Sequence, residues 1–150
     1  MEQQQSFYRI SVKALVVDNA GRFLLAKEAN GTWELLGGGL DHGEDPLVGL
    51  QREIMEETGL TITHASPTPA YFLTTRHIEN GWHIANVLYE VRLNDLQFTP
   101  SDECTELRFF TVDEAREVLL YPNVKIFLDQ YNPVNHQQSS LEPLKSPRAI

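Results

Sequence analysis

The run GGGLDHGEDPLVGLQREIMEETGL, residues 37–60, constrains this chain more than any other stretch. Three consecutive glycines, Gly37 to Gly39, lower helix and strand propensity and open backbone angles that side chains forbid. Asp41, His42, Gly43 and Glu44 continue the loop. Asp45 followed by Pro46 has the form of a helix cap and first helical position, and Gly59 that of a left-handed stop. The spacing predicts a helix from Pro46 to about Thr58, with Leu47, Leu50 and Ile54 as its buried stripe. At about 100° per residue, Glu53 and Glu57 lie on nearly the same side of that helix, and Glu56 falls slightly round it.

Bare carboxylates held this close repel, and the repulsion raises at least one pKa unless a cation intervenes. Two readings follow. An acidic helix face is often simply solvated. Alternatively, Glu53, Glu56 and Glu57 offer the oxygen ligands that magnesium prefers, with carbonyls around Gly38 free to join them. Arg52 stands four residues before Glu56, close enough to pair with it and orient the group. Glu44, in the preceding loop, can supply a ligand or steady the loop.

Around this run the chain alternates short strand and helix signals. Tyr8 to Val17 reads as a strand, Asp18 to Gly21 as a turn, and Arg22 to Lys27 as the returning strand of a hairpin. Trp33 to Leu36, Thr61 to His64, Ala70 to Thr75, Trp82 to Leu93 and Leu107 to Phe110 are further strand candidates. Thr111, with Glu114 three residues on, predicts a capped helix reaching Leu120, and Lys125 to Tyr131 a last helical or irregular piece. Residues 1–6 read as a flexible leader, residues 7–131 as one domain, and residues 132–150, rich in Pro, Gln and Ser, as a mobile or loosely packed tail. A mixed sheet with helices packed on it is the economical α/β fold.

The length of 150 residues suits one domain. A single cysteine, Cys104, rules out an intramolecular disulfide and a thiolate metal cluster, and makes a reducing cytoplasm the default compartment. No stretch is long enough to span a membrane. The formal charge of −9 repels duplex nucleic acid and anionic lipid. It permits a small polyphosphate ligand only if divalent metal accompanies it.

The same run resembles the Nudix box of the Nudix hydrolase family, in the MutT-like form. That pattern is Gly, five residues, Glu, seven residues, Arg-Glu, an aliphatic residue, one residue, Glu-Glu, one residue, Gly, aliphatic. Here it stands as Gly38, Glu44, Arg52-Glu53, Ile54, Glu56-Glu57, Gly59 and Leu60. Leu36 replaces the proline that usually precedes the glycine pair, which removes some preorganisation of the turn but no ligand. The resemblance implies an α/β/α sandwich around a mixed β-sheet. It implies hydrolysis of a nucleoside diphosphate linked to another moiety, with Mg2+ (or Mn2+). It implies metal ligands Glu53, Glu56, Glu57 and the Gly38 carbonyl, loop support from Glu44, and positioning by Arg52. A monomer or homodimer acting on a nucleotide-type small molecule is the expected state.

The general base stays open between Glu53 and the 102–106 loop, where Glu106 is the first choice, as extra ligand or base, and Glu103 the second. Tyr8, Phe72, Trp82 and Tyr89 are candidates to stack a base, although aromatic residues in such strands more often pack a core or sheet. Alternation sets Asn86 on a sheet face with Trp82, Ile84 and Leu88, where it can read a base edge. The family's known substrate signatures outside the box are absent: Pro67 and Pro69 come too early for one, and His77 stands where another has tyrosine. The different-class alternative is a nucleotide-sensing module with this fold that hydrolyses slowly.

Overall fold

The structure, a computed structural model, describes residues 7–77, 79–138 and 140–145. Residues 1–6, expected to form a flexible leader, lie outside the described residues, as do Ser139 and residues 146–150 of the expected tail.

Nine strands form two sheets among the described residues. The larger holds β4 (Gly37–Gly39), β1 (Tyr8–Leu15), β7 (His83–Leu93), β5 (Ile62–Ala65) and β9 (Glu142–Pro143) in that order, with β6 (Tyr71–Arg76) also on β7. The smaller has β3 (Trp33–Glu34), β2 (Phe23–Lys27) and β8 (Glu106–Phe110). The larger sheet is mixed: β1 runs parallel to β7, and its other neighbours pair antiparallel.

Strand alternation explains where the helices go. Val12 and Ala14 on β1, with Tyr89 and Val91 on β7, join Leu50 and Ile54 of α1 (Pro46–Thr58) in one core cluster. Leu15 and Leu88, on the opposite face, join Leu73, Val124 and Phe127 in a second, which α3 (Pro122–Gln130) closes. Phe127 sits at its centre, edge-on to Phe23 and Tyr71 at ring separations of 5.2 and 5.5 Å. The result is the expected α/β/α sandwich.

The α1 helix keeps the predicted bounds. The Asp45 carboxylate accepts from the amides of Leu47 and Val48, and Gly59 ends the helix at φ 75°. No helix among the described residues is long and apolar enough to cross a membrane.

Three expectations are corrected. The hairpin exists only at its turn: Asp18 accepts from the Ala20 and Arg22 amides, Leu24 donates to Val16, and the strands then part into different sheets. The C-terminal half of β1 and most of β2 are buried, and each strand takes ladder partners on both edges, which its sequence neighbour alone cannot supply. The glycine triplet is an edge strand, Gly37 to Gly39 pairing with Lys13 to Ser11. A side chain is impossible there because a Cβ on Gly37 would lie 2.1 Å from the Val12 carbonyl oxygen.

The helix α2 (Val112–Ala115) forms its capping box on Thr111 and Glu114 but stops well short of Leu120. Beyond it the chain pairs with β3: Trp33 donates to the Leu119 carbonyl and Tyr121 donates to that of Trp33. This buries Leu120 and leaves Leu119 exposed. The described part of the C-terminal segment stays mostly exposed but makes specific contacts. A 3-10 turn, Pro133–His136, stacks the His136 ring on Tyr131 and bonds it to the Tyr71 hydroxyl at 2.8 Å and to the Glu90 carboxylate, while β9 covers the edge of β5.

Candidate active site

A cleft of about 530 Å³ opens where the two sheets meet α1 and the start of α3. One wall carries Gly37, Gly38, Glu53 and Glu57, and the opposite wall carries Asn86 and Asn123. Lys13, Glu34 and Glu103 also line it.

The acidic wall is built by close approach. An added Cβ on Gly38 would fall 2.6 Å from a Glu53 carboxylate oxygen, so any larger residue there would push the Glu53 carboxylate out of its present position. The Gly37 amide donates to Glu57 Oε1 at 2.9 Å. Burial pushes the Glu57 carboxyl up to about 8, against the opposing pull of Lys13 and the Gly37 amide, with Glu103 and Glu53 raising it further. Without a cation, this carboxyl therefore holds a proton at neutral pH.

Arg52 ties the acidic groups together. Its Nε and Nη2 each donate to Glu44 at 2.9 Å, its Nη1 reaches Glu53 at 3.0 Å and Glu56 at 3.4 Å, and Nη2 also donates to the Gly39 carbonyl. The fork holds the Glu44 carboxyl down at about 2, helped by the Asp41 amide, and raises the Arg52 guanidinium in turn.

The opposite wall is a polar network. Asn123 Nδ2 donates to Glu34 Oε1 at 2.8 Å and lies 3.4 Å from Asn86 Oδ1, and Asn86 Nδ2 donates to Thr75 at 3.1 Å. Both asparagines are buried. With Glu34 they give this part of the cavity a lining of amide and carboxylate groups bonded to one another.

Of the residues expected from sequence, Gly38, Glu53, Glu57, Asn86 and Glu103 meet in the cleft. Glu44 and Arg52 stand behind them. The Glu56 side chain is 57% exposed at the rim, held by Arg52. Glu106, the first choice in its loop, is instead paired with Arg108 at 2.7 Å and stays outside the lining, so Glu103 is the residue of that loop that the fold delivers. Phe72 is 61% exposed and alternates with the buried Leu73, which places it away from the cleft. Tyr89 belongs to the core beside α1. Sequence reading missed Lys13, Glu34 and Asn123. The signal for Lys13 was present: Ser11 and Lys13 alternate with Ile10, Val12 and Ala14, a polar face inside an apolar strand.

The oxygen-only donor set fits a hard divalent cation. Glu53 and Glu57 already flank Gly38, and Glu56 follows on the same helix. Among the described residues, no three acidic, imidazole or thiolate groups are yet gathered as a finished ligand cluster. Arg52 occupies Glu53 and Glu56 instead.

The NUDIX domain family matches residues 7–131, and the chain belongs to that family. It is 35% identical over 111 residues to a MutT-like protein of Streptomyces ambofaciens, covering 73% of this chain and 68% of that one. It is 34% identical over 83 residues to an RNA pyrophosphohydrolase of a Psychrobacter species, covering 51% of this chain and 48% of that protein. Among solved structures, the MutT NUDIX hydrolase of Burkholderia pseudomallei superposes with a TM-score of 0.70 at 26% identity, over 85% of this chain and all of the other. The chain thus spans about half the length of the RNA pyrophosphohydrolase it matches.

Proposed function

We propose that the cleft hydrolyses a phosphoanhydride bond in a nucleoside diphosphate linked to another moiety, with magnesium, or manganese in its place, held by Glu53, Glu56, Glu57 and the Gly38 carbonyl. One observation carries this reading: Glu53 and Glu57 share a cavity with an opposed wall of buried amides, so phosphate and base each have a complementary surface.

When bound, the cation supplies charge neutralisation on the phosphate oxygens. The chain's own groups do the rest. Glu44 and Arg52 hold the carboxylates in place, and Asn86, Asn123 and Glu34 orient the nucleoside. A water oxygen attacks phosphorus in line while the bridging phosphorus–oxygen bond breaks. The proton of that water passes to Glu53 of α1 or to Glu103 of the loop before β8, both of which line the cavity. The nucleotide-type substrate and the single buried thiol suit work in the cytoplasm, as a monomer or homodimer.

A substrate panel with and without magnesium tests this: nucleoside triphosphates, sugar nucleotides, dinucleotides and an oligoribonucleotide bearing a 5′-triphosphate. Metal-dependent release of phosphate products is expected from at least one class. Glu53→Gln and Glu57→Gln should each slow turnover by about a hundredfold or more, since even groups behind metal ligands cost about 10–100-fold. Full metal-dependent activity in both variants overturns the assignment.

A further inference from the structure

Lys13 is a buried lysine in the middle of β1, and its ammonium has three acceptors. It lies 3.4 Å from the Leu35 carbonyl oxygen, 3.2 Å from that of Gly37, and 3.7 Å from Glu34 Oε2. These acceptors belong to different parts of the fold. Glu34 ends β3 in the smaller sheet, Gly37 begins β4 in the larger, and Leu35 lies on the crossover between them. The crossover is otherwise tied to β1 by the Ala14 amide, which donates to the Leu36 carbonyl at 2.8 Å.

The two ends of this staple serve opposite walls of the cleft. On one side, Gly37 donates its amide to Glu57. On the other, Glu34 accepts from Asn123. We infer that Lys13 is a positioning residue that sets the two walls in register: by gripping the Gly37 carbonyl and the Glu34 carboxylate together, it fixes how far the Gly37–Glu57 edge stands from the Glu34–Asn123 edge. An error of about 1 Å in such spacing costs about a hundredfold in rate. A lysine suits the task because its compact ammonium offers three donors that diverge, whereas a planar guanidinium does not.

The inference rests on the proposed reading of the cleft for its kinetic arm only. Lys13→Met, which keeps the length and the apolar stem, is compared with wild type in three measurements: kcat and KM on the best substrate of the panel, Mn2+ binding without substrate, and amide NMR shifts of Gly37, Gly38 and the Asn123 side chain. The expected result is a folded protein whose Gly37 and Asn123 signals both move, and whose kcat falls about a hundredfold. Lys13→Gln, with one donor arm on a shorter stem, should lose less, and it carries the comparison if the Met variant fails to fold. Unmoved signals on either wall with wild-type kcat overturn the inference. So does tighter Mn2+ binding with unmoved signals, which would mean that Lys13 acts through its charge alone. If wild type hydrolyses nothing in the panel, the functional reading fails, while the amide shifts still decide the staple.

Discussion

Arg52 closes two parallel hydrogen bonds of 2.9 Å on Glu44, joining the middle of α1 to the loop that precedes it. The same guanidinium reaches Glu53 and the Gly39 carbonyl, so one side chain sets the distance between loop, edge strand and acidic helix. A fork of this kind is specific to arginine, because lysine cannot donate from two coplanar nitrogens. Arg52→Lys should therefore lower activity and Mn2+ affinity by about 10–100-fold, the usual cost of removing a group that orients metal ligands. Steady-state kinetics with a Mn2+ titration checks this, and an unchanged kcat would refute it.

The fork also has a pH signature. Glu44 titrates in the fold at about 2 instead of its ordinary 4.5. A depressed carboxyl stabilises the fold above its ordinary range, and the contribution is lost as pH falls from about 4.5 toward about 2. Glu114, held low by the Thr111 cap, acts in the same direction. Melting temperature measured from pH 5 downward should fall less steeply in Glu44→Gln than in wild type. Parallel curves would show that the contact carries no acid-side stability.

Gly37 and Gly43 both hold positive φ, at 130° and 78°, yet they should respond very differently to alanine. At Gly43 a Cβ meets nothing within 4 Å, so only backbone strain opposes it, about 1–2 kcal/mol. At Gly37 the Cβ would stand 2.1 Å from the Val12 carbonyl oxygen, which adds a steric clash that β1 can relieve only by separating from β4. Gly37→Ala should cost more than about 3 kcal/mol by urea unfolding and displace the amide that bonds Glu57. Equal costs at the two sites would contradict this account.

Cys104 is fully buried, and burial pushes its thiol up to about 11, with Glu57 nearby adding to the shift. A protonated, inaccessible thiol is inert. An aromatic disulfide reagent at pH 8 should leave the native protein unmodified over hours and react stoichiometrically in urea. Prompt labelling of the native protein would show that the 102–106 loop opens.

Residues 45–60 were legible in the sequence because their information is local. A cap bonds amides two and three residues away, a left-handed glycine stops its own helix, and an apolar stripe repeats within two turns. The sequence by itself therefore determined the helix, its acidic face, the family and the four-residue spacing that brings Arg52 to Glu56, while the tighter fork of Arg52 on Glu44 was decided by the fold. Tertiary structure alone decided which of those acids face a cavity and what faces them. The Asn123–Glu34 bond joins residues 89 apart, and Lys13 reaches Gly37 across 24 positions. Such contacts depend on which strands share a sheet, and burial settles that: β1 and β2 read as a hairpin, but each is covered on two sides and finds its partners elsewhere. The placement of Glu103 in the cleft lining and of Glu106 beside Arg108 has the same origin, since Glu106 is held opposite Lys27 in the β2–β8 ladder.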